Sequence, residues 1–216
     1  MAWIRRNALY TLVGITVLGG SILTGCMKSD EPATTPASTS ARPPAPPVKG
    51  DMAMDDNSMK MGSSAMDALK GLTGKEFNIA FLSQMIAHHQ GAVDMAKDVL
   101  KVAQLPETKT EANAVITDQE KQIKQMTDWL QTWYAVKPSE QQMNLMKADM
   151  KGMMDMKTND KMFFQMMIPH HQGAIDMSQL ALKQSDKTEV KDLAQQIIKA
   201  QQAEIARYNE LLKKMP

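Results

Sequence analysis

The apolar positions of this chain recur with a helical period. Phe81, Met85, His88, Ala92, Met95 and Val99 follow one another at alternating steps of four and three, which puts them in one stripe of an amphipathic helix. Ile86, His89, Val93, Ala96 and Leu100 form a second line beside it, so the buried face is wide. Leu105-Pro106 is expected to end this helix. A return helix is read in Ala112, Ile116, Gln119, Ile123, Met126 and Leu130, ending near Pro138. The pattern then comes again, first in Phe163, Met167, His170, Ala174, Met177 and Ala181, then in Ile198, Gln201, Ile205, Tyr208 and Leu212. A short helix is expected before each long one, the second opening at Ser139 and carrying Met143, Met146, Met150 and Met153. Alternation of period two is absent, so strands are not expected.

The recurrence is a duplication. Residues 84–96, QMIAHHQGAVDMA, match residues 166–178, MMIPHHQGAIDMS, at an offset of 82. The same offset carries Asp67 onto Asp149, Phe81 onto Phe163, Gln119 onto Gln201, Ile123 onto Ile205 and Leu130 onto Leu212. One gapless offset over about 65 residues defines a repeated unit. The expected fold class is all-α: two tandem helical hairpins, residues 67–138 and 139–216, packed face to face as one four-helix bundle with short extra helices. Pro169 falls inside the third long helix, where the loss of a backbone donor should bend it and open the bundle near His170.

The first residues read as a targeting segment. Arg5 and Arg6 precede an apolar run of about 16 residues that closes with Leu23-Thr24-Gly25-Cys26. This is the layout of a secretory signal peptide, residues 1–25, and the run is short of the roughly 20 residues a spanning helix needs. Leu-Thr-Gly-Cys resembles the lipobox of bacterial lipoproteins, so Cys26 is expected to be lipidated and to tether the protein to the cell envelope. An outer-membrane, periplasm-facing destination is favoured where the cell has one. The alternative is an uncleaved anchor with an incidental cysteine. Residues 26–66 form the expected tether, Pro-, Ser- and Thr-rich at first and Met-rich later.

Composition narrows the chemistry. Cys26 is the only cysteine, so neither an internal disulfide nor a thiolate metal cage can form. Without Arg5 and Arg6 the 25 basic residues fall to 23 against 24 acidic ones, which gives no reason to expect nucleic acid as a partner. Methionines number 21, while Phe, Tyr and Trp together number 10. Methionine therefore either fills the core or has another role.

All four histidines lie in two pairs, His88-His89 and His170-His171. Neighbours on a helix point about 100° apart, so a pair does not chelate one ion in the usual way. Residues three, four or seven apart share a face, which sets His88 between Met85 and Met95, and His170 between Met167 and Met177. Imidazole with thioether is a soft donor set, suited to copper, above all Cu(I), and by extension to Ag(I). His88 and His170 are the better candidates, and His89 and His171 could bond across the bundle instead. The bland alternative is a set of core histidines with Gln119 or Gln201 as partners, and methionine as adaptable filling. Asp94 and Asp176 recur near the edge of the apolar face, as secondary candidates for an outer ligand shell or as plain surface charges. Met52, Met54, Met59 and Met61 form Met-x-Met clusters that look like Cu(I)-capturing motifs, or else belong to a mobile polar linker.

The segments MIAHHQGAVDMA and MIPHHQGAIDMS, each followed by a return helix, resemble the signature of the bacterial domain-of-unknown-function 305 family. The resemblance covers about residues 64–212. It implies a ferritin-like bundle and, for some members, periplasmic copper binding linked to copper tolerance. It implicates Met85, His88, His89 and Met95, then Met167, His170, His171 and Met177.

Three functions follow for comparison. The favoured one is an envelope metal-binding protein that sequesters or relays Cu(I) or Ag(I), with a metal-transfer protein or a second copy as conceivable partners. A metal-free helical scaffold competes with it. A ferritin-like oxidase is the weakest, since no catalytic constellation is visible. That chemistry needs Glu-x-x-His pairs, and here Met85 and Met167 stand three residues before His88 and His170, while Glu120 maps onto Gln202 and Glu204 onto Gln122.

Overall fold

The computed structural model describes residues 63–215, so Cys26, Met52, Met54, Met59 and Met61 lie outside the described residues. Six helices follow in order: α1 Ser63–Leu69, α2 Gly74–Leu100, α3 Pro106–Tyr134, α4 Glu140–Met154, α5 Asp160–Gln184 and α6 Thr188–Lys214. No strand occurs among the described residues, and no described helix is long and apolar enough to cross a membrane.

Local chemistry sets the boundaries. The Asn159 side chain accepts from the Met162 amide at 2.9 Å and starts α5. Ala135 takes the left-handed conformation and ends α3. Pro106 was expected to stop the first long helix. Instead α2 ends at Leu100 and Pro106 opens α3, the first-turn position where its missing N–H costs nothing.

The helices pair as two hairpins, α2 with α3 and α5 with α6, joined mainly through α2 and α5. The expected stripe of α2 is buried throughout, from Phe81 to Val99. On the return helices the buried line runs through Val115 and Ile197, while Ile116 and Ile198 are half-buried. The start of α2 (Phe77, Phe81) shares an apolar cluster with the end of α5 (Ala174, Met177, Ala181). The end of α2 (Ala92 to Val99) shares another with the start of α5 (Phe163 to Met167). The two long helices are therefore antiparallel, and the repeats are related by a pseudo-twofold passing between the histidine pairs.

Each hairpin grips the other's loop near that symmetry. Asn78 donates to Asp186 at 2.6 Å and to the Tyr134 hydroxyl at 2.8 Å, and accepts from the Ser185 hydroxyl at 2.6 Å. Its counterpart Asp160 accepts from the amides of Gln104 and Leu105, each at 3.1 Å.

The short helices break the symmetry. Although α4 leads into α5, it packs on α2, and α1 packs against α4 and the start of α2. Gln84 ties the three together, donating to the Ala65 carbonyl at 3.0 Å and to Gln142 at 2.6 Å. Pro169 does not open the bundle: α5 runs through it unbroken, and His170 is fully buried. Pro169 itself stays half-buried, whereas its counterpart Ala87 is buried.

Candidate metal centre

The stripe that buries α2 and α5 carries all four imidazoles inward, and each is fully shielded from solvent. His88 and His170 meet on the pseudo-twofold with ring centroids 3.8 Å apart. The His88 Nε2–H donates to the His170 carbonyl at 3.1 Å. A carbonyl only accepts, so this bond fixes the tautomer and leaves Nδ1 of His88 as a bare lone pair. That Nδ1 has no partner, and neither ring nitrogen of His170 makes a well-aligned hydrogen bond, although the His88 backbone lies close enough to act on the ring. Buried polar atoms without partners are uncommon and call for an account.

The second histidine of each pair turns to its own return helix. His89 Nε2 donates to Gln122 Oε1 at 2.6 Å. His171 Nε2 lies 2.8 Å from Glu204 Oε2, close enough for an ion pair but out of line with the ring N–H. Gln122 and Glu204 are repeat equivalents, so one position serves the same purpose twice with different charge. The partners are thus not Gln119 and Gln201, whose side-chain oxygens are buried without a hydrogen bond.

Burial also sets the charge of the cluster. It is the main cause holding His88 and His170 well below the ordinary imidazole value, and the neighbouring histidines push the same way. Burial lowers His89 to about 4, against the opposing pull of the Gln122 bond and the Glu204 carboxylate. These three imidazoles are neutral at pH 7, the form that binds metals.

Thioethers are buried on the same helices as the pair. Met85 and Met177 belong to the apolar cluster on one side, Met95 and Met167 to the cluster on the other. All four are buried, so each side receives one methionine from each repeat. A fifth comes from α4. A Cβ placed on Gly91 would stand 3.2 Å from Met150 Sδ and 3.6 Å from His170 Nε2. The sulfur and the free nitrogen therefore face one small space that exists because residue 91 has no side chain. The sequence pattern places Met150 on a short helix and points to neither it nor Gly91 as part of the site. The available signal was a glycine inside a helix, two residues after His89.

Asp94 and Asp176 do not join the histidines. Both are exposed and accept from Gln90 and Gln172 on their own helices, each at 2.8 Å. Among the described residues no group of three or more His, Cys, Asp or Glu is placed to hold a metal ion. Beyond imidazole nitrogen, the soft donors buried in these helices are the methionine thioethers. The unpartnered imidazole nitrogens and the buried thioethers fit a soft ion and do not fit a hard one.

Two regions of the chain, residues 25–110 and 99–212, match the family described as Domain of unknown function (DUF305). Solved structures resemble the chain as well. CopM in a Cu(II)-bound form is 32% identical with a TM-score of 0.55, covering 64% of this chain and 98% of CopM. CopM in a Cu(I)-bound form is 32% identical with a TM-score of 0.56, covering 63% of this chain and 96% of CopM. A DUF305 fragment from Deinococcus radiodurans is 26% identical with a TM-score of 0.55, covering 67% of this chain and 99% of the fragment. No curated protein matches the sequence. The duplicated hairpin, its two His-His-Gln-Gly motifs and the span of the two matches lead to one assignment: the chain belongs to the DUF305 family.

Proposed function

We propose that this protein binds copper, Cu(I) above all, in the buried histidine centre between α2 and α5, and sequesters or relays it at the cell envelope. The observation that carries this reading is the His88–His170 contact: two neutral, buried imidazoles whose rings meet and whose nitrogens are not all satisfied, on helices that also bury Met85, Met95, Met167 and Met177. Desolvation helps binding here. A proton competes poorly for these nitrogens, while a soft ion exchanges its ligands for sulfur and imidazole without needing anionic donors. CopM, 32–33% identical, has been crystallised with Cu(I), Cu(II) and Ag, which supports the choice of metal.

The roles divide within the centre. His88 and His170 are the proposed nitrogen ligands, with Met85, Met95, Met167 and Met177 as candidate sulfur ligands. His89 and His171 are held through Nε2 by Gln122 and Glu204, which orients the rings and leaves their unpartnered Nδ1 atoms as further candidate nitrogens. Lipidation of Cys26 would keep the centre at the envelope, and Met52, Met54, Met59 and Met61 would add a capture segment beside it.

Titration of the full chain with Cu(I) against a colorimetric chelator tests the proposal. The expected result is tight binding that falls in the His88→Ala, His170→Ala variant by more than the ~10–100-fold typical of losing an outer-shell partner. Binding that survives in that variant but vanishes when Met52, Met54, Met59 and Met61 are replaced would move the site out of the bundle. No binding in either protein would leave a scaffold.

A further inference from the structure

Resting on the copper reading, we propose that Met150 of α4 is a ligand to the ion held at His170, and that the ion arrives through the groove between α2 and α4. The helix α4 crosses onto α2 rather than onto α5, which it precedes. That crossing brings the buried Met150 Sδ to Gly91, where the fully buried His170 Nε2 also lies without a well-aligned hydrogen bond. A methyl group at position 91 would stand 3.1 Å from the Met150 methyl carbon and 3.2 Å from its sulfur, closer than ordinary contact, and would push the thioether aside.

A groove of about 420 Å³ lies on the outer side of Gly91 and Met150, which form part of its wall, with Met154 along it. Lys147 and Lys151 also line it, together with Asp94. Lys151 is paired with Asp155, and Asp94 accepts from Gln90. A free cation gains little from a mouth framed by two lysines. A soft ion passed between thioethers, from Met154 to Met150 and on to His170, does not depend on that field.

The arrangement is one-sided. The repeat equivalent of Met150 is Ala68, which has no sulfur, and α1 packs against α4 and α2 instead of α5. Among the described residues the thioether supplied by a short helix serves His170, and α1 offers none to His88 from the equivalent position.

The test compares full-length wild type with Met150→Leu and Gly91→Ala in the same Cu(I) competition. Leucine keeps nearly the volume of methionine, so Met150→Leu should fold like wild type. It should bind Cu(I) about tenfold or more weakly. Gly91→Ala should weaken binding in the same direction, since its methyl group crowds the end of Met150. Independently, in wild type labelled at the methionine methyl carbons, added Ag(I) should shift the Met150 methyl resonance. Wild-type affinity in Met150→Leu, or a Met150 methyl that ignores Ag(I), overturns this proposal and leaves the histidine centre standing. Wild type that binds neither ion overturns the copper reading itself.

Discussion

Lowering the pH from 8 to 5.5 should destabilise the metal-free protein by about 4 kcal/mol. The perturbation acts on His88, His89 and His170. In the unfolded chain each titrates near the ordinary value of about 6.5. In the folded protein, burial lowers His89 to about 4 and holds His88 and His170 well below the ordinary value. Between these limits the unfolded state binds protons that the folded state refuses, so stability is full above pH 6.5 and lost as the pH falls. At pH 5.5 each unfolded imidazole is about ten parts charged to one neutral, which shifts the folding equilibrium about tenfold. Three of them shift it about a thousandfold, or about 4 kcal/mol, a large share of the ~5–15 kcal/mol that holds a typical domain folded. Urea denaturation followed by far-UV circular dichroism, in chelator-treated buffer at a series of pH values, measures this directly. A stability that is flat from pH 8 to 5.5 would refute the reasoning, because the imidazoles would then be charged or hydrated in the folded protein.

Two further predictions concern the scaffold. Asn78→Ala should cost about 2–3 kcal/mol, since it strips the Ser185 hydroxyl of its buried acceptor and severs the links to Tyr134 and Asp186; the urea midpoint reads the loss, and an unchanged midpoint would mean that the loop is held elsewhere. Pro169→Ala should stabilise the protein by about 1–3 kcal/mol, because α5 is already continuous there and alanine restores a missing helix donor; a lower thermal midpoint would show that the ring at 169 is needed for packing.

The bundle was legible because its information is local. A stripe such as Phe81, Met85, His88, Ala92 states which face of a helix is buried, and the offset of 82 states that the statement is made twice. The partner of each face is not written in that way. Nothing in the spacing of Met143, Met146, Met150 and Met153 tells that α4 lies on α2, and this placement is what brings Met150 to His170. The partners of His89 and His171 were missed for a similar reason. Gln119 and Gln201 stand on the apolar stripe and drew attention, but one turn further along, Gln122 and Glu204 reach the rings. Pro169 was expected to break the packing. A proline removes one hydrogen bond, and the burial of the flanking Met167 and His170 outweighs it.

The central claim is that imidazole nitrogen and thioether sulfur hold one ion inside the bundle. X-ray absorption at the copper edge tests it, using full-length protein in which Met52, Met54, Met59 and Met61 are changed to leucine and one equivalent of Cu(I) is loaded. The account predicts a first shell containing both nitrogen and sulfur, with the nitrogen contribution lost in the His88→Ala, His170→Ala variant. A shell of nitrogen and oxygen alone, or one indifferent to those two histidines, would contradict it.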